Sequence, residues 1–288
     1  MSSLFERIAP ADLQVQRIAT GFHFTEGPAW DPEGDFLVFS DIPANRISKW
    51  QESTGIVEFR YPSGKSNGLT RDRQGCLIAC EHATRRVSRT EKDGKVVPIA
   101  THFEGKRLNS PNDVVVKSDG AVYFTDPPYG LNPMFGSMTP QELPFYGVYR
   151  LSPDGSELRL LIDDMVPNGL AFSPDESLLY VADTEMNLLR VFDVEANGSV
   201  ANGRLFAPIT GDPLAPDGLK VDQEGNIYVT GRGGIWVLAP EGKRIGVVPI
   251  PELPANLCWG DSDWKTIYVT ARSSVYRVRL NVPGVPLY

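Results

Sequence analysis

The sequence predicts an all-β fold, a six-bladed β-propeller. Three observations carry that prediction: six related anchor stretches, a turn at a constant distance behind each, and strand-like runs after every turn. The anchors are Glu26-Gly27-Pro28, Asn67-Gly68-Leu69, Asn112-Asp113-Val114, Asn168-Gly169-Leu170, Asp217-Gly218-Leu219 and Asn256-Leu257-Cys258. Each opens with an oxygen-bearing side chain. Their spacings of 41, 45, 56, 49 and 39 residues fall in the range that marks propellers and solenoids.

Five residues behind the anchors stand Asp31, Asp72, Lys117, Ser173, Asp222 and Asp261, and most open a turn such as Asp31-Pro-Glu-Gly or Ser173-Pro-Asp-Glu. Runs of β-branched and aromatic residues follow: Phe36 to Phe39, Cys76 to Cys80, Val122 to Thr125, Leu178 to Ala182, Ile227 to Thr230 and Thr266 to Thr270. Each second strand ends at Asp41, Glu81, Asp126, Asp183, Gly231 or Ala271, and a third strand begins soon after. Asn-Gly and Asp-Gly are also strong hairpin signals. Asn197-Gly198 and Asn202-Gly203 read as such ordinary turns, in an outer hairpin from Glu195 to Gly203. The anchors differ because each starts a strand and its turn comes later.

The chain of 288 residues reads as one propeller domain over 1–288. Its 27 glycines and 24 prolines suit many short strands. The segment Leu13-Gln-Val-Gln-Arg-Ile-Ala alternates like a strand, and the last unit after Asn256 has room for only three. The amino-terminal strand is therefore expected to close the last blade and remove a free sheet edge. Cys76, Cys80 and Cys258 are odd in number and read as buried apolar side chains. The first twelve residues lack an apolar signal core, and no run approaches a membrane span, so a cytoplasmic protein without membrane contact is expected. A net charge of −8 with no basic block argues against nucleic-acid partners. The third unit carries an insert from Tyr129 to Tyr146, a candidate lid or pocket wall.

Innermost strands of a propeller line its channel, so the anchor side chains converge at one mouth. Glu26, Asn112, Asn168 and Asp217 then offer two carboxylates and two amides, with Asn67 and Asn256 nearby. An all-oxygen set suits a hard cation and, for calcium, leaves positions for water and substrate. Zinc or iron would favour histidine or cysteine, and the chain has three histidines with no close pair. Asp41, Glu81, His82, Asp126 and Asp183 form a second tier at the same face. His82 has the side chain best suited to proton transfer near neutrality, although a lone histidine is more often structural. Arg232 and Arg272 occupy matching places and are expected to pair with carboxylates.

These stretches resemble the gluconolactonase family that includes regucalcin, the senescence marker protein. The resemblance is carried by Thr25-Glu26-Gly27-Pro28, Ser110-Pro111-Asn112-Asp113, Thr125-Asp126-Pro127-Pro128-Tyr129-Gly130, the run from Val166 to Pro174, and Pro216-Asp217-Gly218-Leu219. It implies one divalent ion, usually calcium, held by Glu26, Asn168 and Asp217, with Asn112 beside it as ligand or substrate contact. It also implies Asp217 as the residue that moves the proton. Animal members carry arginine where this chain has Ser110, which bears on sugar specificity.

The function expected is a metal-dependent hydrolase that opens a small-molecule sugar lactone to the hydroxy acid. The expected roles are Asp217 in catalysis; Asn112, Tyr129 and His82 at the substrate; and Glu26, Asn112, Asn168 and Asp217 at the metal. Calcium is the first choice, with zinc, magnesium and manganese as alternatives. Two other readings stand beside it. One is a phosphotriesterase, because diisopropyl fluorophosphatase resembles this site in its two acidic and two amide ligands. The other is a binding scaffold with a structural ion, which would have no open pocket.

Overall fold

Each short β-branched run becomes one strand of a four-stranded antiparallel sheet. The structure, a computed structural model, describes residues 3–210 and 216–286. Among these residues there are six such sheets and one two-stranded hairpin, His102–Phe103 with Lys106–Arg107. The innermost strands, Thr25–Asp31, Ser66–Arg71, Val114–Val116, Pro167–Phe172, Leu219–Val221 and Pro254–Gly260, pack each against the next, and the last returns to the first. That cyclic contact makes the fold a six-bladed propeller.

The turns behind the anchors form as expected, for Gly75 N donates to Asp72 O at 2.9 Å and Gly225 N to Asp222 O at 3.0 Å. Val15–Thr20 pairs antiparallel with Ser274–Arg279 as the outer strand of the sixth sheet, so the ring closes with a strand from the far end of the chain. A helix not foreseen in the sequence, Ser3–Ile8, precedes it and buries Phe5 and Ile8 against the fifth and sixth blades. Its single exposed-to-buried alternation is too short for a helical period to show.

The core is not one mass but six apolar clusters among the described residues, one at each junction between neighbouring blades. At the junction of blades one and six, Trp30 stacks on Tyr268 with ring centroids 5.0 Å apart. Cys76, Cys80 and Cys258 are buried and form no disulfide, in keeping with their reading as buried apolar side chains.

One turn is corrected. Asn197-Gly198 does turn the outer hairpin of blade four, but Asn202-Gly203 lies inside the strand Val200–Pro208. Asn202 takes a left-handed φ of 52°, and the pairing register shifts opposite it, between Val191 and Asp193. A bulge and a hairpin draw on the same tolerance for positive φ, so the dipeptide alone does not distinguish them. No helix among the described residues is long and apolar enough to cross a membrane.

Candidate functional site

The glycine that follows four of the six anchors has a reason other than a tight turn. A Cβ on Gly27 would lie 2.0 Å from Asn67 O, on Gly68 2.5 Å from Asn112 O, on Gly169 2.4 Å from Asp217 O, and on Gly218 2.2 Å from Asn256 Oδ1. Each glycine therefore lets its inner strand approach the next anchor closely. Backbone bonds lock the approach: Gly68 N to Asn112 O at 2.7 Å, Gly169 N to Asp217 O at 3.1 Å, and Gly218 N to Ala255 O at 2.8 Å. The same contact that closes the ring fixes the anchor side chains at the channel mouth.

There they border a cavity of about 450 Å³. Glu26, Asn67, Asn112, Asn168 and Asp217 form its polar side together with His82 and Thr184. Phe24, Ile42, Pro128 and Phe135 form an apolar side, and Tyr129 and Asn132 complete the wall. Pro128 begins the approach to the long insert, and Tyr129, Asn132 and Phe135 belong to it, so the insert is a wall of the cavity. Phe24 meets Phe135 edge to face at 5.2 Å, joining blade one to the insert. Asn256 does not border the cavity; its Oδ1 accepts Leu257 N at 2.8 Å, and its amide supports the Glu26 carboxylate.

Two residues that the sequence did not single out orient the anchors. Thr184 Oγ1 accepts Asn168 Nδ2 at 2.9 Å and donates to Pro216 O at 2.6 Å, which leaves Asn168 Oδ1 buried without a hydrogen-bond partner. Thr230 Oγ1 accepts Asp217 N at 2.8 Å. The pattern of unpaired oxygen beside a fixed amide nitrogen is what a ligand-binding amide needs.

Burial pushes the Glu26 carboxyl up to about 7, and the charge of Asp113 adds to the rise against hydrogen bonds from Gly27 N and Asn256. Burial likewise raises Asp217 well above the usual carboxylate range, with the charge of Glu26 next and that of Asp113 after it. Two buried like charges oppose each other's ionisation, and a cation between them relieves both. Burial drives His82 down to about 4, so its ring is neutral at pH 7 and a weaker base than free imidazole. His82 Nδ1 donates to Phe135 O at 3.1 Å, which ties the insert to blade two and leaves Nε2, 3.4 Å from Asn67 Nδ2, as the acceptor.

The remaining second tier serves the scaffold. Glu81 is gripped by Arg60, Arg86, Ser88 and Thr84; burial alone would raise its pKa, but these hydrogen bonds and charges hold it below the usual value. Asp41 accepts the backbone N–H groups of His23 and Phe24, Asp126 that of Asn109, and Asp183 that of Met186. None of these four borders the cavity: Glu81 is held by side chains of its own blade and the one before it, and the three aspartates cap the loops beside them. Arg232 and Arg272 are exposed in the turns of blades five and six and stand off the cavity wall too. Ser110 is fully buried: its hydroxyl donates to Pro127 O at 2.5 Å and accepts Gly130 N at 2.9 Å. It clips the base of the insert.

A family model described as SMP-30/gluconolactonase/LRE-like region matches residues 24–273. The chain belongs to that family. A gluconolactonase of Zymomonas mobilis is 33% identical over 98% of this chain and 86% of its own length. Regucalcin of Oryctolagus cuniculus is 27% identical over 86% of this chain and 83% of its own. Among solved structures, a gluconolactonase from Xanthomonas campestris superposes with a TM-score of 0.92 at 34% identity, covering 97% of this chain and 93% of the other. The family match begins at Phe24, two residues before the first anchor, and so takes in every anchor while omitting the strand that closes the ring.

Proposed function

We propose that this chain is a divalent-cation-dependent lactonase that hydrolyses a neutral sugar lactone to its hydroxy acid. The observation that carries the reading is the convergence of Glu26, Asn112, Asn168 and Asp217 on one open cavity. The membership of the family and the lactonases within it support the reaction class. A scaffold with a purely structural ion has no use for a cavity of about 450 Å³ beside its ligands.

The donor set fits a hard cation. Glu26 and Asp217 bring two carboxylates whose mutual repulsion a dication cancels, and Asn168 brings a buried oxygen that no protein group satisfies. Asn112 stands beside them as a further ligand or a substrate contact. Among the described residues no group of three or more histidine, cysteine, aspartate or glutamate side chains is placed for metal binding, so amide oxygens are integral to the proposed set. Calcium suits it best, with magnesium, manganese or zinc as the alternatives to assay. When bound, the cation supplies a Lewis acid for the lactone carbonyl and makes a neighbouring water more acidic.

The side chains do the rest. Asp217 accepts the proton of the attacking water and returns one to the ring oxygen as the carbonyl carbon–oxygen bond breaks. A carboxylate that also held a cation would be a weaker base, which burial and the nearby charge of Glu26 would offset by raising the proton affinity of Asp217. Thr184 keeps Asn168 oriented, and the Phe24–Phe135 wall shields the reacting ester from bulk water on its apolar side. The described wall carries no lysine or arginine, which favours neutral lactones over phosphorylated or carboxylate-bearing ones.

A pH-indicator hydrolysis assay tests this reading. Neutral aldonolactones should be opened, chelator should abolish turnover and added calcium restore it, and Asp217→Asn, whose calcium affinity should fall, should lose most of kcat even at saturating calcium. Chelator-resistant lactone hydrolysis, or preferred hydrolysis of phosphotriesters, would overturn it.

A further inference from the structure

Below the anchors, on the far side of the candidate cation site from the substrate cavity, the channel holds one more charged pair. Leu219 and Val221 of the short inner strand of blade five turn into the core shared with blade four, and Lys220 between them turns the other way. Its Nζ donates to Leu219 O at 2.9 Å and lies 3.8 Å from Asp113 Oδ2, two blades away around the ring. Lys220 borders both smaller cavities at that end, of about 130 and 60 Å³, and does not border the substrate cavity.

Asp113 is 5% exposed in its side chain, and its Oδ2 has no hydrogen bond. Its other oxygen accepts Val114 N at 2.9 Å. The charge of Asp113 acts on both Glu26 and Asp217, and that of Lys220 acts on Glu26 in the opposite sense. These four groups therefore belong to one electrostatic unit, three carboxylates and one ammonium, with a formal charge of −2 when all are ionised. A dication makes that unit neutral. Without the ammonium, the loaded site would keep a buried negative charge.

We propose that Lys220 is a positioning residue that sets the cation affinity of the mouth by neutralising Asp113 from below, leaving the site a charge that matches one dication. The proposal rests on the cation reading given above. Lys220 weakens the hold on the ion, because its positive charge repels the cation held by the buried carboxylates. It also keeps the unliganded carboxylates from repelling one another unchecked.

Isothermal titration of CaCl2 into the chelator-treated full-length chain tests this at constant ionic strength. Lys220→Met should bind calcium more tightly, on the order of tenfold or more. Lys220→Arg, which keeps the charge, should stay within a few-fold of the parent chain, and Asp113→Asn should bind more weakly. The double variant K220M/D113N restores the charge of −2 and should return close to the parent affinity. A folded Lys220→Met with unchanged or weaker affinity overturns the proposal. If Lys220→Met does not fold, the decision passes to Asp113→Asn and the double variant, and equal affinity in those two overturns it. A parent chain that binds no divalent cation sinks the cation reading and this inference together, whereas a parent that binds normally while Lys220→Met gains nothing sinks only the inference.

Discussion

Gly169→Ala should uncouple blade four from Asp217. Gly169 does not have positive φ, so alanine fits the backbone conformation and the effect comes from contact alone. The new methyl would sit 2.4 Å from Asp217 O, 2.8 Å from Gly218 Cα and 3.0 Å from Leu219 N, all of them backbone atoms that no rotamer change can move aside. Ordinary carbon contacts need about 3.5 Å or more, so the inner strand of blade five must shift by roughly 1 Å. Overpacking costs about 1–3 kcal/mol. The strained bond from Gly169 N to Asp217 O adds about 1 kcal/mol. The stiffer unfolded chain returns about 0.4–1 kcal/mol. The net loss is about 1–4 kcal/mol, or a fall in Tm of roughly 2–6 °C for a chain of this length. Activity should fall further than stability, on the order of a hundredfold, since displacement by about 1 Å is enough to misalign a reacting group. Thermal unfolding by circular dichroism and initial rates of lactone opening read the two effects separately. Gly94→Ala is the control: Gly94 has φ of 84° with open space around it, so alanine costs about 1–2 kcal/mol of backbone strain and leaves turnover intact. If Gly169→Ala unfolds and turns over like the parent chain, the close approach of inner strands is not what places Asp217.

Other expectations follow from the same geometry. Thr184→Val removes the group that orients Asn168 and should weaken calcium binding by about 10–100-fold in a titration, with a modest change in Tm. Burial pushes the Asp126 carboxyl up to about 7, so the folded chain keeps a proton that the unfolded chain releases near 4. Its contribution to stability is full below about pH 4 and is lost as pH rises to about 7, by up to about 4 kcal/mol, and Asp126→Asn should flatten that part of the urea-unfolding profile. Deleting residues 1–20 removes the outer strand of blade six and the buried Phe5 and Ile8, so the truncated chain should aggregate on gel filtration.

Much of this was legible because a propeller repeats its errors as well as its successes. A single Asn-Gly is ambiguous between hairpin and strand, but Asn67-Gly68, Asn168-Gly169 and Asp217-Gly218 keep one distance to their turns, and the structure explains the glycine by a clash with the neighbouring anchor. Where no repeat constrains the reading, as at Asn202-Gly203, the dipeptide misled. The helix Ser3–Ile8 was invisible because six residues do not establish a period.

At the site, the sequence placed oxygen atoms at the mouth but could not tell which face the channel. Glu81 and His82 stood together in the second tier, yet Arg60 and Arg86 claim Glu81 while His82 borders the cavity. Thr184 was equally hidden, because its value lies in a bond across to Asn168 and another to Pro216. The nearest signal was its place directly after Asp183 at the end of a second strand. Phe24 needed the fold to bring the insert against it.

The most direct measurement is anomalous diffraction from crystals of the full-length chain grown with calcium and, separately, manganese. A single strong peak is expected at the cavity floor, with carboxylate oxygens of Glu26 and Asp217 and the amide oxygen of Asn168 at about 2.3–2.6 Å for calcium. A cation held elsewhere, or these three side chains turned away from any bound ion, would contradict that expectation.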